Sequence, residues 1–407
     1  MEHDMREPMQ ALDRTHWLTE ERLRVYPRIF LVVFVVAAIG WAAMARDLLD
    51  SQGKPLGYDF ITFWAASLLT LGGEPGAAYD FQRIFDTERV AAPALEHVFL
   101  WHYPPTFELV VAPLSLLPYI PAYLLWVGAT LVLYLWVLRR LAPTPLTTIL
   151  VLSSPGVFIN LMQGQTGFLI AALYGGALLL LDRRPILAGI LIGLLSCKPH
   201  FGLLIPFALL LGGYWRTFLA AAVTTILFAG LTTLILGTGP WLAFYENMPT
   251  LRLVYEDGLL PWIKMPSLFI GLRMLGVGSG IAYGVHGIFA LGVALLVWRM
   301  WWRRMRLPLT GAALVCGSLL VTPYAFDYDL ALLAVPIALL ALDGHRHGWL
   351  AGEREILVAA WLSPFLATVI SAVTQVQVGF LCVLALFVVA VRRGEMRRNA
   401  TPEHATA

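Results

Sequence analysis

The chain has 407 residues, 59% hydrophobic and only 13% charged, with a formal net charge of +2. A soluble globular domain carries about 25% charged residues, so the composition excludes an ordinary soluble enzyme. Apolar runs of roughly 20 residues recur along the whole length, the pattern of an all-α polytopic membrane protein. The net charge says little; the placement of the charges says more.

The first apolar run, "RIFLVVFVVAAIGWAAMA" (28–45), opens with Arg28 and follows a polar tail (1–27) that holds Arg6, Arg14, Arg22 and Arg24. The tail is too long for a typical signal-peptide n-region, so the run is expected to be an uncleaved signal anchor despite the "AMA" at its end. A long, mostly polar segment follows, 46–118. Eleven further spans are predicted near 119–138, 146–162, 167–181, 185–198, 200–214, 217–236, 281–299, 309–323, 329–343, 355–373 and 376–391. A second long non-spanning segment covers 237–280. The integral-membrane domain is thus 28–392, between the tail 1–27 and a tail at 393–407.

With the N-terminus in the cytoplasm, 20 of the 28 Lys and Arg fall on the inner side, among them Arg183, Arg184 and the cluster "RMWWRRMR" (299–306). This asymmetry follows the positive-inside rule and places both termini in the cytoplasm. The other side receives 46–118, 237–280 and three short turns, "NLMQGQTG", "SCKPHF" and "TPYAFDYD". Apart from the arginine clusters, nearly every unusual polar group lies in these five places. Polar groups at membrane depth are costly and usually line a cavity, so their convergence on one face predicts one site there.

Asp59 sits in "GYDFITFW", which continues into an expected amphipathic helix lying along the membrane surface and ended by Gly72 and Gly73. Two roles are open for the acid: a helix-start residue favoured by the helix dipole, or a partly desolvated general base. Its neighbour Tyr58 is a candidate sugar or acceptor contact. In "WHYPPTFELVVAPLSLLP" (101–118), Pro104 and Pro105 suit a helix start, and the short apolar stretch after them suggests a re-entrant or interfacial helix. His102 and Tyr103 would face the cavity mouth or act as interfacial anchors.

Asn160, Gln163 and Gln165 offer amide donors and acceptors that suit sugar hydroxyls and suit helix capping equally well. Lys198 is the only lysine between Lys54 and Lys264. With His200 it could meet a phosphate, or it could snorkel to headgroups. Arg252 and Lys264, in the second long segment, are further candidate phosphate contacts. The D-x-D at Asp327 and Asp329 opens an apolar helix, where residues two apart face different ways, so a metal site is not expected; one of the two acids, Asp327 or Asp329, is taken with Tyr324 as a cavity residue. Cys197, Cys316 and Cys382 show no disulfide or zinc spacing and are expected to be small core hydrophobes.

The order "YDFITFWAASLLTLGGEPGAAYD", "YPPTFELVVAPLSLLP", "GQTGFL", "CKPHFGLL", "SLLVTPYAFDYDLALLAVPIALL" resembles glycosyltransferase family 87 over about residues 27–343. These are integral-membrane enzymes of the GT-C superfamily, which includes polyprenol-phosphate-mannose-dependent mannosyltransferases. The resemblance implies a GT-C-type fold with about twelve transmembrane helices, and an acid of the first outer loop, here Asp59, as catalytic base. Lys198–Pro199 matches the family's Lys-Pro pair. Where the late turn often carries His near its Pro, this chain has Tyr324 after Pro323.

The resemblance further implies a polyprenyl-phosphate sugar donor, a lipid or glycan acceptor, inversion at the anomeric carbon, and work at the periplasmic face of a bacterial inner membrane. No metal or cofactor is expected, nor is nucleic acid a partner; membrane lipids are. The transferred sugar is expected to be a hexose, mannose foremost, or a pentose. A lipid or sugar transporter is the alternative, since twelve spans suit one, but no internal repeat of the kind transporters carry is evident. Polar groups clustered on one face argue against a non-catalytic scaffold. The topology is checked with reporter fusions: those after Arg184 or Arg304 are expected to read cytoplasmic, and those near Gly76 or Glu256 periplasmic. A cytoplasmic signal at Gly76 would remove Asp59 from the proposed site.

Overall fold

The computed structural model describes residues 16–399; Arg6, Arg14 and residues 400–407 of the predicted tails lie outside the described residues. The described chain is helical throughout, with no strand among the described residues and only isolated bridges linking Arg46, Leu49 and Pro55. In chain order, α1 (Glu20–Met44) is the predicted anchor, and the first long segment contributes α2 (Phe60–Leu71), α3 (Phe81–Ala91) and α4 (Pro105–Val111). Then come α5 (Tyr119–Leu141), α6 (Thr147–Leu152), α7 (Pro155–Gln163), α8 (Gly167–Leu180), α9 (Pro185–Leu194), α10 (Ile205–Gly212) and α11 (Trp215–Leu236). The second long segment holds α12 (Gly239–Glu256) and α13 (Leu268–Met274). The remainder is α14 (Ser279–Trp302), α15 (Leu307–Val321), α16 (Ala334–His347), α17 (Glu353–Thr374) and α18 (Val378–Asn399).

Local sequence sets many of these boundaries. Proline occupies the first turn of α4, α7 and α9, where its missing N–H costs nothing. Gly164 and Gly213 end α7 and α10 in the left-handed conformation that glycine adopts freely.

The chain is an all-α polytopic membrane protein. Among the described residues, six segments are long and apolar enough to cross a bilayer: Glu20–Met44, Tyr119–Leu141, Trp215–Leu236, Ser279–Trp302, Asp327–His347 and Glu353–Thr374. Other predicted spans are shorter or broken. The stretch 146–162 is two helices, α6 and α7, with Ser153 and Ser154 between them, because Pro155 cannot continue a helix from before it. The stretch 200–214 reduces to a short turn and the eight-residue α10. Helix length and composition together therefore give six full crossings among the described residues where the sequence suggested twelve.

α2 forms where expected and ends at Gly72, but it does not lie on the surface with one polar face. Phe60, Ile61, Phe63, Trp64, Ala65, Ala66 and Ser67 are all buried. Phe63 alone meets the rings of Trp101, Tyr103, Phe107 and Trp126 edge-on. Aromatic residues at the start of α5 and around α4 cover the helix, which overrides the polarity pattern of its sequence.

The start of α5 organises the surrounding turns. Tyr119, Tyr123 and Trp126 follow an i, i+4, i+7 spacing and so share one helix face. Tyr119 donates to the Leu56 carbonyl at 2.5 Å, Tyr123 to that of Leu161 at 2.7 Å, and Trp126 to that of Gly164 at 2.9 Å. One row of side chains thus ties the loop before α2 to the turn after α7. α1 is joined to the same loop, since Trp41 donates to Asp50 at 3.2 Å and stacks on Tyr58.

The turn "GQTG" (164–167) is packed tightly from both sides. A Cβ on Gly164 would lie 2.5 Å from the Phe60 Cβ and 3.2 Å from the Gly57 carbonyl. A Cβ on Gly167 would lie 2.4 Å from the Tyr328 carbonyl and 2.6 Å from Asn160 Oδ1. Glycine is needed at both ends because two other backbone segments close on this turn. Gly167→Ala is expected to cost about 1–3 kcal/mol, the usual range for overpacking. It should lower the thermal unfolding midpoint in detergent. Gly128→Ala in α5, where nothing lies within 4 Å of the added carbon, should be neutral or slightly stabilising; equal effects of the two would show that the turn is not tightly packed.

Candidate active site

Asp59 occupies the N-cap position of α2, yet its side chain makes no capping hydrogen bond, and its backbone is already helical (φ −68°, ψ −14°). Asp59 thus stands at the helix start without capping it by a hydrogen bond. The carboxylate instead accepts from Gln165 Nε2 at 3.0 Å through Oδ2, and Oδ1 has no hydrogen-bond partner among the described residues. Gly57 (φ 87°) and Tyr58 (φ 40°) both adopt left-handed backbone immediately before it. For a tyrosine this is a strained conformation, of the kind that persists where surrounding structure enforces it. Burial pushes the Asp59 carboxyl above the usual carboxylate range, opposed by the Gln165 hydrogen bond and by the charges of Lys264, Lys54 and Lys198.

Gln165 is itself fixed. Its Oε1 accepts from the Tyr103 hydroxyl at 2.7 Å and from the Thr166 N–H at 3.1 Å. Both acceptor interactions define the amide's orientation, so Nε2 must point at Asp59. Tyr103 is buried, and its own carbonyl accepts from Tyr79 at 2.8 Å.

Thr166 continues the chain of contacts. Lys198 Nζ donates to Thr166 Oγ1 at 3.3 Å and to Asp329 Oδ1 at 2.6 Å. Lys198 is 4% exposed and Asp329 2% exposed, so this is a buried ion pair. The rings of Tyr328, Phe201 and Tyr103 surround the ammonium at 4.7, 5.4 and 5.9 Å, a geometry that adds cation–π attraction. The other Asp329 oxygen accepts from the Phe326 N–H at 3.0 Å.

The D-x-D lies on a 3-10 turn, Asp327–Leu333, ahead of α16. Gln163 Nε2 sits 3.3 Å from each oxygen of Asp327, and the Tyr328 N–H donates to Oδ1 at 2.8 Å. Both aspartates thus serve the site region, each with its own amide or cation. Asn160 Oδ1 accepts from the Gly167 N–H at 2.9 Å, holding the turn.

The candidate cations separate into two kinds. Lys198 is neutralised by Asp329, and Arg252 is ion-paired with Glu256 while lying over the Tyr283 ring at 5.3 Å. Lys264, at the end of the turn Trp262–Lys264, forms no ion pair among the described residues, yet its charge reaches Asp59 and Asp327. His200 lies within electrostatic reach of Lys198 and His102, with its Nε2 buried and unbonded.

An aromatic wall completes the region. His102 stacks on Tyr103 at 4.6 Å and meets Tyr255 edge-on, and Tyr255 stacks on Tyr324 at 4.7 Å. Tyr324 shares a hydrogen bond with Tyr283. Burial and the Lys198 charge lower the His102 imidazole to about 4. His102 Nδ1 lies 3.1 Å from the Leu100 carbonyl; in the neutral ring that nitrogen carries the proton, which leaves Nε2 as an acceptor. Tyr58 is turned away: its hydroxyl donates to Asp50 at 2.9 Å and Lys54 lies over its ring.

The structure thus brings together Asp59, Gln165, Tyr103, Lys198, Gln163 and Asp327, with Lys264 in electrostatic reach. It directs Tyr58 elsewhere. Sequence reasoning left open which of Asp327 and Asp329 lines the site and gave Thr166 no role. The signal for Asp329 was present, since a lone lysine and a nearby acid at the same membrane end are expected to pair. Thr166 carried no signal beyond its place between two marked residues.

No curated protein and no solved structure matches the chain. The model of glycosyltransferase family 87 matches residues 101–323, more than half of the sequence and including Tyr103, Gln165 and Lys198. The chain belongs to glycosyltransferase family 87 and is a membrane glycosyltransferase.

Proposed function

We propose that the protein transfers a hexose, mannose foremost, or a pentose from a polyprenyl-phosphate donor to a lipid or glycan acceptor, with inversion, at the periplasmic face of a bacterial inner membrane. The observation that carries this reading is the state of Asp59: a carboxylate with raised proton affinity, one oxygen held by Gln165 and the other without a protein partner. In the proposed step the acceptor hydroxyl oxygen attacks the anomeric carbon. The bond from that carbon to the phosphate oxygen breaks from the opposite face, and its electron pair leaves with the lipid phosphate. Asp59 takes the hydroxyl proton. One carboxylate suffices because no covalent intermediate forms, the same single-displacement logic as in inverting glycosidases. The scheme is written without a metal or cofactor.

The phosphate gains charge as it leaves, so a cation beside it stabilises the transition state more than the ground state. Lys264 suits that role, because no carboxylate neutralises it. Lys198 supports the site instead, holding Asp329 and Thr166 in place. Neutral His102, Tyr324 and Tyr255 offer an acceptor nitrogen and aromatic faces for sugar.

Asp59→Asn keeps the size of the side chain and one acceptor for Gln165 but cannot take the proton. General-base catalysis contributes about 10²–10⁴-fold, and turnover of a labelled polyprenyl-phosphate sugar should fall by about that factor with protein level unchanged. Near-normal turnover would leave the reaction without its base. Because the base must be ionised and its proton affinity is raised, kcat/KM should rise with pH through an inflection above the ordinary aspartate value of about 3.9. Asp59→Asn should abolish that inflection.

The two lysines should fail differently. Lys264→Ala should fold normally and raise the donor KM about 10-fold or more, since a hydrogen bond to a charged group is worth about 1.5–3 kcal/mol. Lys198→Ala leaves the Asp329 carboxylate buried without its partner, which costs about 3–5 kcal/mol. It should appear first as lost stability, which Lys198→Met with Asp329→Asn restores in part. A Lys198→Ala protein of full stability and raised donor KM would reverse the assignment.

A further inference from the structure

At the end of the helices opposite Asp59 lies a second polar region that the transfer reaction does not use. α14 runs 24 residues, about 36 Å at 1.5 Å per residue, from the Tyr283 end beside Tyr324 to Trp302. Beyond it a cavity of about 730 Å³ opens between the α14–α15 turn and the ends of α16 and α18, lined by Trp302, Arg303, Arg304, Arg306, His347 and Arg393 among others. No carboxylate lines it.

The acids nearby are already committed. Asp343 takes Arg306 and Arg393, each at 2.6 Å, Glu353 takes Arg393 at 2.5 Å, and Glu395 takes Arg299 at 2.7 Å and Arg303 at 3.6 Å. Three carboxylates therefore take up four guanidiniums. The unmatched one is Arg304, which has no ion pair among the described residues; its guanidinium lies over Gly213 in the neighbouring turn. Arg304 also has φ 48°, left-handed backbone that favours glycine. A strained non-glycine residue points to a function for its side chain.

The cavity also has an apolar approach. Ile281, Ile288, Leu291, Leu295 and Trp302 lie on one face of α14 and are 55–77% exposed, a stripe for acyl chains that ends at the cavity mouth. Arginine presents paired donors that match phosphate oxygens, and basic pockets between helix ends suit anionic headgroups.

We propose that this cavity binds the headgroup of an anionic membrane phospholipid, its phosphodiester held by Arg304 and Arg303 and its acyl chains on the exposed stripe of α14. The assignment is independent of the donor, acceptor and side of transfer.

The test uses the full chain purified in detergent, with phosphatidylglycerol as probe. Arg304→Gly removes the guanidinium while relieving the left-handed backbone, so its unfolding midpoint without lipid should equal or exceed that of the wild type. In native mass spectrometry it should retain at least three-fold less phosphatidylglycerol, whereas Arg304→Lys should keep most of it. Arg303→Gln, which leaves the turn's backbone untouched, should also reduce retention and serves should Arg304→Gly fold poorly. Phosphatidylglycerol should raise the wild-type unfolding midpoint; phosphatidylcholine and inorganic phosphate at matched concentration should not. Equal retention by wild type and both Arg303→Gln and Arg304→Gly would overturn the proposal. So would equal protection by phosphatidylcholine, which would mean general lipid binding, or by inorganic phosphate, which would mean an ion site without a lipid.

Discussion

The polar end of this membrane protein depends on the dipeptide Gln165–Thr166. One residue holds Asp59 and the next touches Lys198, so the proposed base and the buried ion pair Lys198–Asp329 are fixed by a single peptide unit. Isolated charges at this depth would be costly, and a buried pair offsets that cost only when its remaining hydrogen-bonding groups are satisfied. Here Asp329 also accepts from the Phe326 N–H, and three aromatic rings enclose the ammonium. The pair is best understood as a device that fixes the late turn against the Lys-Pro turn. Its charge still reaches Asp59, but it has little left over for a substrate.

This arrangement divides labour among the polar residues. Asn160 and Gln163 are spent on Gly167 and Asp327, and Tyr103 on Gln165. Among the described residues, groups without such engagements include the second oxygen of Asp59, the Lys264 ammonium, Nε2 of His102 and the buried Nε2 of His200. They come from three segments far apart in sequence. Lys264 and Tyr255 belong to 237–280 and Tyr324 to the turn at 323–324, while His102 belongs to the same first segment as Asp59.

Much of the site was legible because the chain is so apolar that each polar residue stands out. "GQTG", "CKPH" and "YDFITFW" were all marked for that reason, and the all-α membrane class followed from composition. The partnership of Lys198 with Asp329 was not, because 131 residues separate them and a D-x-D in a regular helix would send its acids to different sides. The 3-10 turn changes that geometry. Tyr58 was misplaced because left-handed backbone at Gly57 and Tyr58 turns the ring toward Trp41 and Asp50, and hydropathy carries no information on φ. The burial of α2 was hidden for a related reason: its cover comes from Trp101, Tyr103, Phe107 and Trp126, outside its own segment.

The row Tyr119, Tyr123 and Trp126, with the turns it fastens, has a consequence for how the protein is made. The loop bearing Asp59 leaves the ribosome early, but Gln165 follows 106 residues later and Asp329 270 residues later. At about 5–20 residues per second, the second interval is roughly 15–50 s. For the first 106 residues of it Asp59 lacks the turn that orients it, and for the last 131 Lys198 lacks its counter-charge. The polar end is therefore complete only once the turn after α15, which carries Asp329, has been made.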